Sequence, residues 1–326
     1  MKLLVTTDFP PMVGGIARWA FELYKELKKR EDIKVIIKRN SFGNLTHSDF
    51  IYYSTSKDLK DILNRFKARV DIVIFFHMDC ALPLFLWCKI RKIRYIVVLH
   101  GSEFIRGRSL YTELKKNLML NLSEEIWVTS EYMKDILTKR KIKQRKIRIK
   151  EILIDKKKFK KFSKGKIMEL RKRYKLTRKK IILTVARLTP VKDFFTVLKA
   201  IEILKKKIPN IIYLIVGEGE LYDELIKYIK AHRLNRYVKL LGRVSDTQLV
   251  ELYNICDAFV LTSKEIKEKG ATEGFGIVYL EAASCGKPII GTDTGGIKYA
   301  LSKVKNSHLI SPGDYKTLTR VLLQIL

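Results

Sequence analysis

Two carboxylates frame the segment ATEGFGIVYLEAASCG, residues 271–286. Glu273 stands just ahead of Gly274-Phe275-Gly276, and Glu281 follows inside an otherwise apolar run. The run from about Ile277 to Ser284 is expected to be helical, with Gly286 and Pro288 ending it. A glycine-flanked helix start presents unpaired backbone N–H groups and the positive end of the helix dipole, which suits a diphosphate. Along an ideal helix the two carboxylates lie about 12 Å apart. Paired carboxylates that cleave a glycosidic bond sit ~5–9.5 Å apart. The spacing therefore predicts two clamps for the opposite ends of one elongated anion rather than an acid/base couple. A sugar nucleotide has that shape, its sugar hydroxyls on one carboxylate and its ribose hydroxyls on the other. On this segment alone the plainer arrangement, Glu273 as a loop charge and Glu281 facing solvent, stays open.

Other residues point to the same chemistry. In TVARLTPVKDF, Arg187 ends a strand and Lys192 follows where a helix begins. Two cations leaving one strand would neutralise a diphosphate leaving group. Gly14 and Gly15 lie between a strand and a helix and permit close backbone approach to a ligand. His100 comes directly after the apolar strand YIVVL, at the edge where ligands bind. VGEGE, residues 216–220, begins like a dinucleotide fingerprint but lacks the third spaced glycine.

These residues need elements to position them, and the chain supplies a regular alternation. KLLVTTD reads as a strand, and IARWAFELYKELKKR as a helix with Ile16, Trp19, Ala20, Leu23 and Leu27 on one face. IKVIIK, DIVIFF, YIVVLH and EIWVTS are further strands. After about residue 180 the pattern restarts with KIILTVARL, IIYLIVGEG, YVKLLGRV, AFVLTS and PIIGTD, separated by helical stretches. Continuous β-branched strands alternating with helices predict parallel sheets covered on both faces. The fold class is thus α/β, with two doubly wound domains facing a cleft at the carboxyl ends of their strands. The expected boundaries are residues 1–160, a basic connector at 161–179, and residues 180–326.

With 326 residues and 47% hydrophobic content, the chain has material for two cores. No run approaches the ~18 apolar residues of a membrane span, and no signal peptide is evident at the start. Cys80, Cys88, Cys256 and Cys285 show no metal or redox spacing and read as buried thiols in a reducing compartment. The net charge of +32 is concentrated early: residues 1–180 hold 45 Lys+Arg against 19 Asp+Glu, and residues 181–326 hold 21 against 15. A solvated basic surface, an anionic membrane and nucleic acid all fit that excess. The third is disfavoured, because the cations lack the interleaved aromatics of a strand-binding platform.

Taken together, PPMVGG, LHGSE, VARL with Lys192, VGEG, LGRV and EGFGIVYLEA resemble, in order and spacing, the retaining glycosyltransferases of family 4. The resemblance covers nearly the whole chain. EGFGIVYLEAASCGKPII is most similar to members that transfer mannose or related hexoses to lipid or glycan acceptors. It implies the two-domain GT-B fold. It also implies that Gly14 and Gly15 approach the donor phosphates, and that His100 contacts the donor sugar near the reacting centre. Arg187 and Lys192 would bind the diphosphate as it leaves. Glu273 would hold the sugar hydroxyls, Phe275, Gly276 and Ile277 would give backbone N–H groups, and Glu281 would take the ribose. The turn from Gly242 to Val244 would lie by the base. The resemblance further implies no metal and no cofactor, with the donor a nucleoside-diphosphate sugar and the configuration retained.

Several positions depart from the family pattern. KEILID keeps only Asp155 of the usual hinge motif, Ala186 replaces a glycine, and Lys298-Tyr299 replace Pro-Glu after Gly295-Gly296. The chain stops at Leu326, where the family continues into helices that cross back to the first domain. The expectation is a cytoplasmic hexosyltransferase, peripheral on the inner face of the membrane, acting on a lipid-linked or polysaccharide acceptor. The alternatives are a sugar-phosphate-utilising synthase of the same fold, or a non-catalytic or truncated binding protein that keeps it.

Overall fold

The computed structural model describes residues 1–10, 14–39, 47–66, 68–101, 110–266 and 272–326. Parts of three motifs noted above, at 11–13, 102–103 and 271, lie outside the described residues. The chain divides into two compact units, Met1–Ile154 and Asp155–Leu326.

Among the described residues the first unit holds seven strands: β1 (Lys2–Thr6), β2 (Ile33–Lys38), β3 (Phe50–Tyr53), β4 (Ile72–Phe75), β5 (Arg94–Leu99), β6 (Glu125–Val128) and β7 (Ile147–Ile149). They form one sheet in the order β3-β2-β1-β4-β5-β6-β7, every pair parallel. The second unit holds β8 (Lys180–Val185), β9 (Ile211–Val216), β10 (Val238–Leu240), β11 (Ala258–Leu261), β12 (Ile289–Thr292) and β13 (Ser307–Ile310). Its order is β10-β9-β8-β11-β12-β13, again all parallel. Each sheet runs outward from its first strand in one direction and then the other. That reversal makes a switch point between β1 and β4, and another between β8 and β11, where open α/β sheets bind ligands.

Burial on both faces follows from the strand composition. In β8, Ile181 and Leu183 enter one core cluster while Ile182 enters another on the opposite face. All six residues of β9 are buried. These are the two-sided apolar strands of a covered parallel sheet.

The helix Gly15–Lys28 departs in part from its expected face. Trp19 and Ala20 are buried, but the other buried positions are Ala17 and Tyr24. Tyr24 turns inward because its phenol donates to Asp49 at 2.8 Å and its ring packs edge-on against Phe50.

The expected connector at 161–179 is part of the second unit. Helix Lys164–Arg173 places Leu170 in the second unit's core, with Phe159 and Leu176 beside it. The Arg171 guanidinium donates to the Ile255 carbonyl at 2.7 Å and to Asp257 at 2.6 Å. The Tyr174 hydroxyl donates to Glu251 at 2.7 Å. Lysine density hid a thin apolar stripe, and that stripe decides the packing. Among the described residues no helix is long and apolar enough to cross a membrane.

Candidate active site

At the carboxyl end of the second sheet, the loop after β8 carries Arg187 and then the single turn Pro190–Lys192. Glycines fix this loop against its neighbour. A Cβ at Gly217 would overlap the Ala186 carbonyl, and one at Gly219 would sit 2.5 Å from the Leu188 carbonyl oxygen. The loop after β9 therefore lies directly on residues 186–188, with the Leu188 N–H donating to the Glu218 carbonyl at 2.9 Å. The VGEG glycines serve backbone approach between two loops. Arg187 itself is exposed.

Lys192 is held by its neighbour. Asp193 takes a left-handed conformation, φ 43°, that a residue with a side chain adopts at a cost. It is buried. Its carboxylate accepts from Thr196 at 2.6 Å and from Lys264 at 3.2 Å, and its carbonyl accepts from Thr262 at 2.9 Å. The Lys264 N–H donates to the Val191 carbonyl at 2.8 Å. The Lys192 turn is thus tied across the switch point to the residues following β11. Reading the sequence for functional residues passed over Asp193. A signal was available in an aspartate directly after a candidate phosphate-binding lysine at a helix start.

From that position Lys192 forms an ion pair with Glu273, both side chains mostly shielded from solvent. Glu273 is fixed from behind by the loop after β12. The Gly296 N–H donates to the Glu273 carbonyl at 3.0 Å, and Gly295, at φ 53°, leaves no room for a Cβ against that carbonyl. Glu273 is thus a loop residue whose charge is paired and shielded rather than solvated.

Helix Ile277–Ser284 begins where expected. Its N-cap, Gly276, has φ 83° and supplies no side-chain cap. A Cβ there would meet the Tyr279 ring at 2.5 Å. Tyr279 is fully buried and its hydroxyl donates to the Leu261 carbonyl at 2.7 Å, pinning the first turn of the helix to the end of β11. Burial first, and the nearby Glu273 charge second, push the Tyr279 phenol well above its ordinary range, so it stays a neutral donor. Phe275 and Ile277 are buried, with the Phe275 ring 6.2 Å from that of Tyr299. Gly242, at φ 62°, begins the turn that runs to Val244 beyond β10, and its carbonyl accepts from Gly217 at 2.9 Å. The second-unit segments expected to bind phosphate, sugar and base thus lie along one edge of its sheet.

Glu281 differs from both expectations for it. It has no exposed surface and accepts from the Tyr253 hydroxyl at 2.8 Å. It does not face solvent, and in this conformation it presents no surface to a ribose either. Its carboxylate links helix Ile277–Ser284 to helix Asp246–Ile255.

In the first unit, Gly14 precedes helix Gly15–Lys28 in an extended conformation, and a Cβ there would meet nothing within 4 Å. The chain's own packing does not require glycine at that position. His100 follows β5. Its Nε2 lies 2.7 Å from the Phe76 carbonyl and must carry the proton there. Trp19 packs edge-on against the His100 ring at 5.2 Å. His77, which follows β4 and was missed as a candidate, stacks on His100 with centroids 6.1 Å apart.

Comparison with known proteins bears on the fold and on what the second unit resembles. Residues 166–326, most of the second unit, match the family model of glycosyl transferases group 1. An uncharacterized glycosyltransferase of Methanocaldococcus jannaschii is 24% identical, the match covering 100% of this chain and 88% of that protein. A GDP-mannose-dependent alpha-(1-6)-phosphatidylinositol monomannoside mannosyltransferase of Mycobacterium tuberculosis is 30% identical, over 47% of this chain and 39% of its own length. The crystal structure of Anabaena HepE in complex with UDP superposes with a TM-score of 0.81 at 19% identity, covering 99% of this chain and 89% of that one. The fold is GT-B, as expected from the motif order.

Proposed function

We propose that the protein moves a hexose from a nucleoside-diphosphate sugar to an acceptor hydroxyl with retained configuration. The observation that carries this is the meeting of Lys192 and Glu273 at the switch point, beside a helix start that has no side-chain cap. The donor diphosphate takes the Ile277–Ser284 helix start together with Arg187 and Lys192. Glu273 holds the sugar hydroxyls, with the N–H groups of Phe275, Gly276 and Ile277 beside it. The turn from Gly242 to Val244 takes the base. In the first unit, the motif resemblance alone assigns Gly14 and Gly15 to phosphate and His100 to sugar.

In the reaction the bond from the anomeric carbon to the phosphate oxygen breaks. A bond to the acceptor oxygen forms on the same face, and the acceptor proton passes to the leaving phosphate. Preorganised cations and N–H groups stabilise the charge that develops on that phosphate, and no divalent ion is needed. Glu281 reaches a ribose only by leaving Tyr253. The acceptor is a lipid-linked or polysaccharide hydroxyl, met by a protein peripheral to a membrane. The GDP-mannose-dependent phosphatidylinositol monomannoside mannosyltransferase it resembles in part supports such a donor and acceptor class.

Donor hydrolysis and transfer are measured with UDP-, GDP- and ADP-hexoses, with and without excess EDTA. One donor should turn over with the anomeric configuration kept, and EDTA should leave the rate unchanged. Loss of activity in EDTA that manganese restores would reject the metal-free chemistry. Turnover of none of the donors would reject the transfer itself.

A further inference from the structure

Eight large apolar side chains are exposed among the described residues, and five of them lie on two helices of the first unit. Leu86 and Ile90 are one turn apart on helix Phe85–Ile90. Tyr111, Leu114 and Leu118 follow helical spacing along helix Leu110–Leu122. All five are between 48% and 78% exposed. Single exposed leucines need no explanation, but a cluster of this kind marks an interaction site.

The two helices present one surface. They pack against each other, and both insert into the same core, one through Phe85, Trp87 and Cys88 and the other through Met119 and Leu120. Both therefore cover the same face of the sheet, and their outward faces are neighbours. Among the described residues the charges around the apolar side chains are mostly basic, with Glu124 exposed just beyond the second helix. Lys89, Arg91 and Lys92 are exposed at the end of the first helix, and Lys115 lies beside Leu114. The acidic residue within these two helices, Glu113, is already engaged by Lys116 and Arg140.

We infer that this surface docks on a bilayer containing anionic phospholipid, the apolar side chains entering the headgroup boundary and the cations taking the lipid phosphates. Apolar residues on one face with flanking Lys and Arg are the composition of a helix that lies in the interface. Each cation near an anionic leaflet adds attraction that falls away within a Debye length. This deepens the membrane part of the proposed function and names the surface responsible. It does not depend on the transfer chemistry.

The test is co-sedimentation of the full chain with phosphatidylcholine vesicles containing 0 or 30% phosphatidylglycerol. The wild type should pellet with the anionic vesicles and less well as salt rises. Leu114→Glu/Leu118→Glu should bind them at least about tenfold more weakly, the scale of losing two apolar insertions, with its melting temperature unchanged. The three native tryptophans are all buried, so a tryptophan placed by Tyr111→Trp should be the one quenched by brominated acyl chains. Donor hydrolysis without lipid, measured on the same variants, reports on the transfer reading separately. Wild-type affinity retained in the glutamate variant would assign binding to overall charge and overturn the proposal. Equal binding to neutral vesicles, or no binding at all, would also overturn it. So would a wild-type dimer that the glutamate variant dissociates without any change in lipid binding, because the occupant would then be a second copy.

Discussion

Lys192 and Glu273 stand 81 positions apart in the sequence and meet as an ion pair. In the proposed reaction Glu273 is assigned to sugar hydroxyls and Lys192 to phosphate, so each would have to release the other. Donor binding must exchange that pair for two contacts with the substrate. Lys192→Ala should lower turnover by about 10²–10³, the range for losing one preorganised donor at developing charge. Glu273→Gln should nearly abolish turnover and leave nucleoside diphosphate affinity within about threefold. The double variant should cost less than the sum of the two, because the residues are in contact. Steady-state kinetics with calorimetric titration of the diphosphate checks all three. Near-normal turnover in Glu273→Gln would refute its role.

The buried Glu281–Tyr253 contact changes what Glu281→Ala should do. A residue that only touched ribose would alter donor affinity alone. Here truncation also leaves the Tyr253 hydroxyl without this acceptor and opens space between two helices. Glu281→Ala should lose about 1–3 kcal/mol of stability as well as donor affinity, and Tyr253→Phe should lose stability in the same range. Urea denaturation of both variants measures this. An unchanged midpoint in Glu281→Ala would contradict the burial argument.

Asp193 should act through Lys192. Asp193→Ala removes the carboxylate while keeping a side chain in a left-handed conformation, so the turn loses its tether to Thr196 and Lys264. It should lower kcat and raise the donor KM by about tenfold each, following the loss of orientation at Lys192. Asp193→Asn tolerates the same backbone and keeps an acceptor oxygen, so it should recover most of both. Equal loss in the alanine and asparagine variants would show that charge, and not positioning, is what matters.

Two glycines separate substrate requirement from chain requirement. Gly276→Ala forces a methyl into the Tyr279 ring at positive φ and should destabilise the protein by about 1–3 kcal/mol. Gly14→Ala meets open space in an extended conformation and should change stability by less than about 0.5 kcal/mol. If donor phosphate approaches Gly14, that silent substitution should still lower turnover. Thermal melts beside kinetics distinguish the two, and full activity in Gly14→Ala would remove the residue from the site.

The four cysteines give a pH prediction. Burial pushes the thiols of Cys80, Cys88, Cys256 and Cys285 each up to about 12. A pKa raised in the folded state means that folding favours the neutral thiol. That stability is fully present below the unfolded thiol pKa near 8.5 and is lost as pH rises toward 12. The melting temperature should therefore fall progressively above about pH 9. At pH 8 the folded protein should react with a thiol reagent only as fast as it opens, and all four thiols should react in denaturant. Rapid labelling of the folded protein at pH 8 would show that a thiol is accessible.

The sequence alone determined the two parallel sheets, because strands such as Ile211–Val216 are apolar at every position and only a sheet covered on both faces can bury them. It also placed the Ile277–Ser284 helix within its glycines. The three strands it did not reveal, β3, β7 and β13, all lie at sheet edges. An edge strand is paired on one side and partly open, so it can carry polar residues, as in Ser307–Ile310, or be only a short apolar run, as in Phe50–Tyr53. Tertiary structure decided the rest of the site. Spacing along one helix could separate Glu273 from Glu281, but the burial of Glu281 depends on Tyr253 from a helix elsewhere in the sequence. The pairing of Lys192 with Glu273 depends on β8 and β11 lying side by side at the switch point. Likewise the lysine-rich stretch after residue 155 joined the second unit because Phe159, Leu170 and Leu176 found partners there. Charge density reports what faces water, whereas a few apolar side chains at helical spacing decide which core a segment enters.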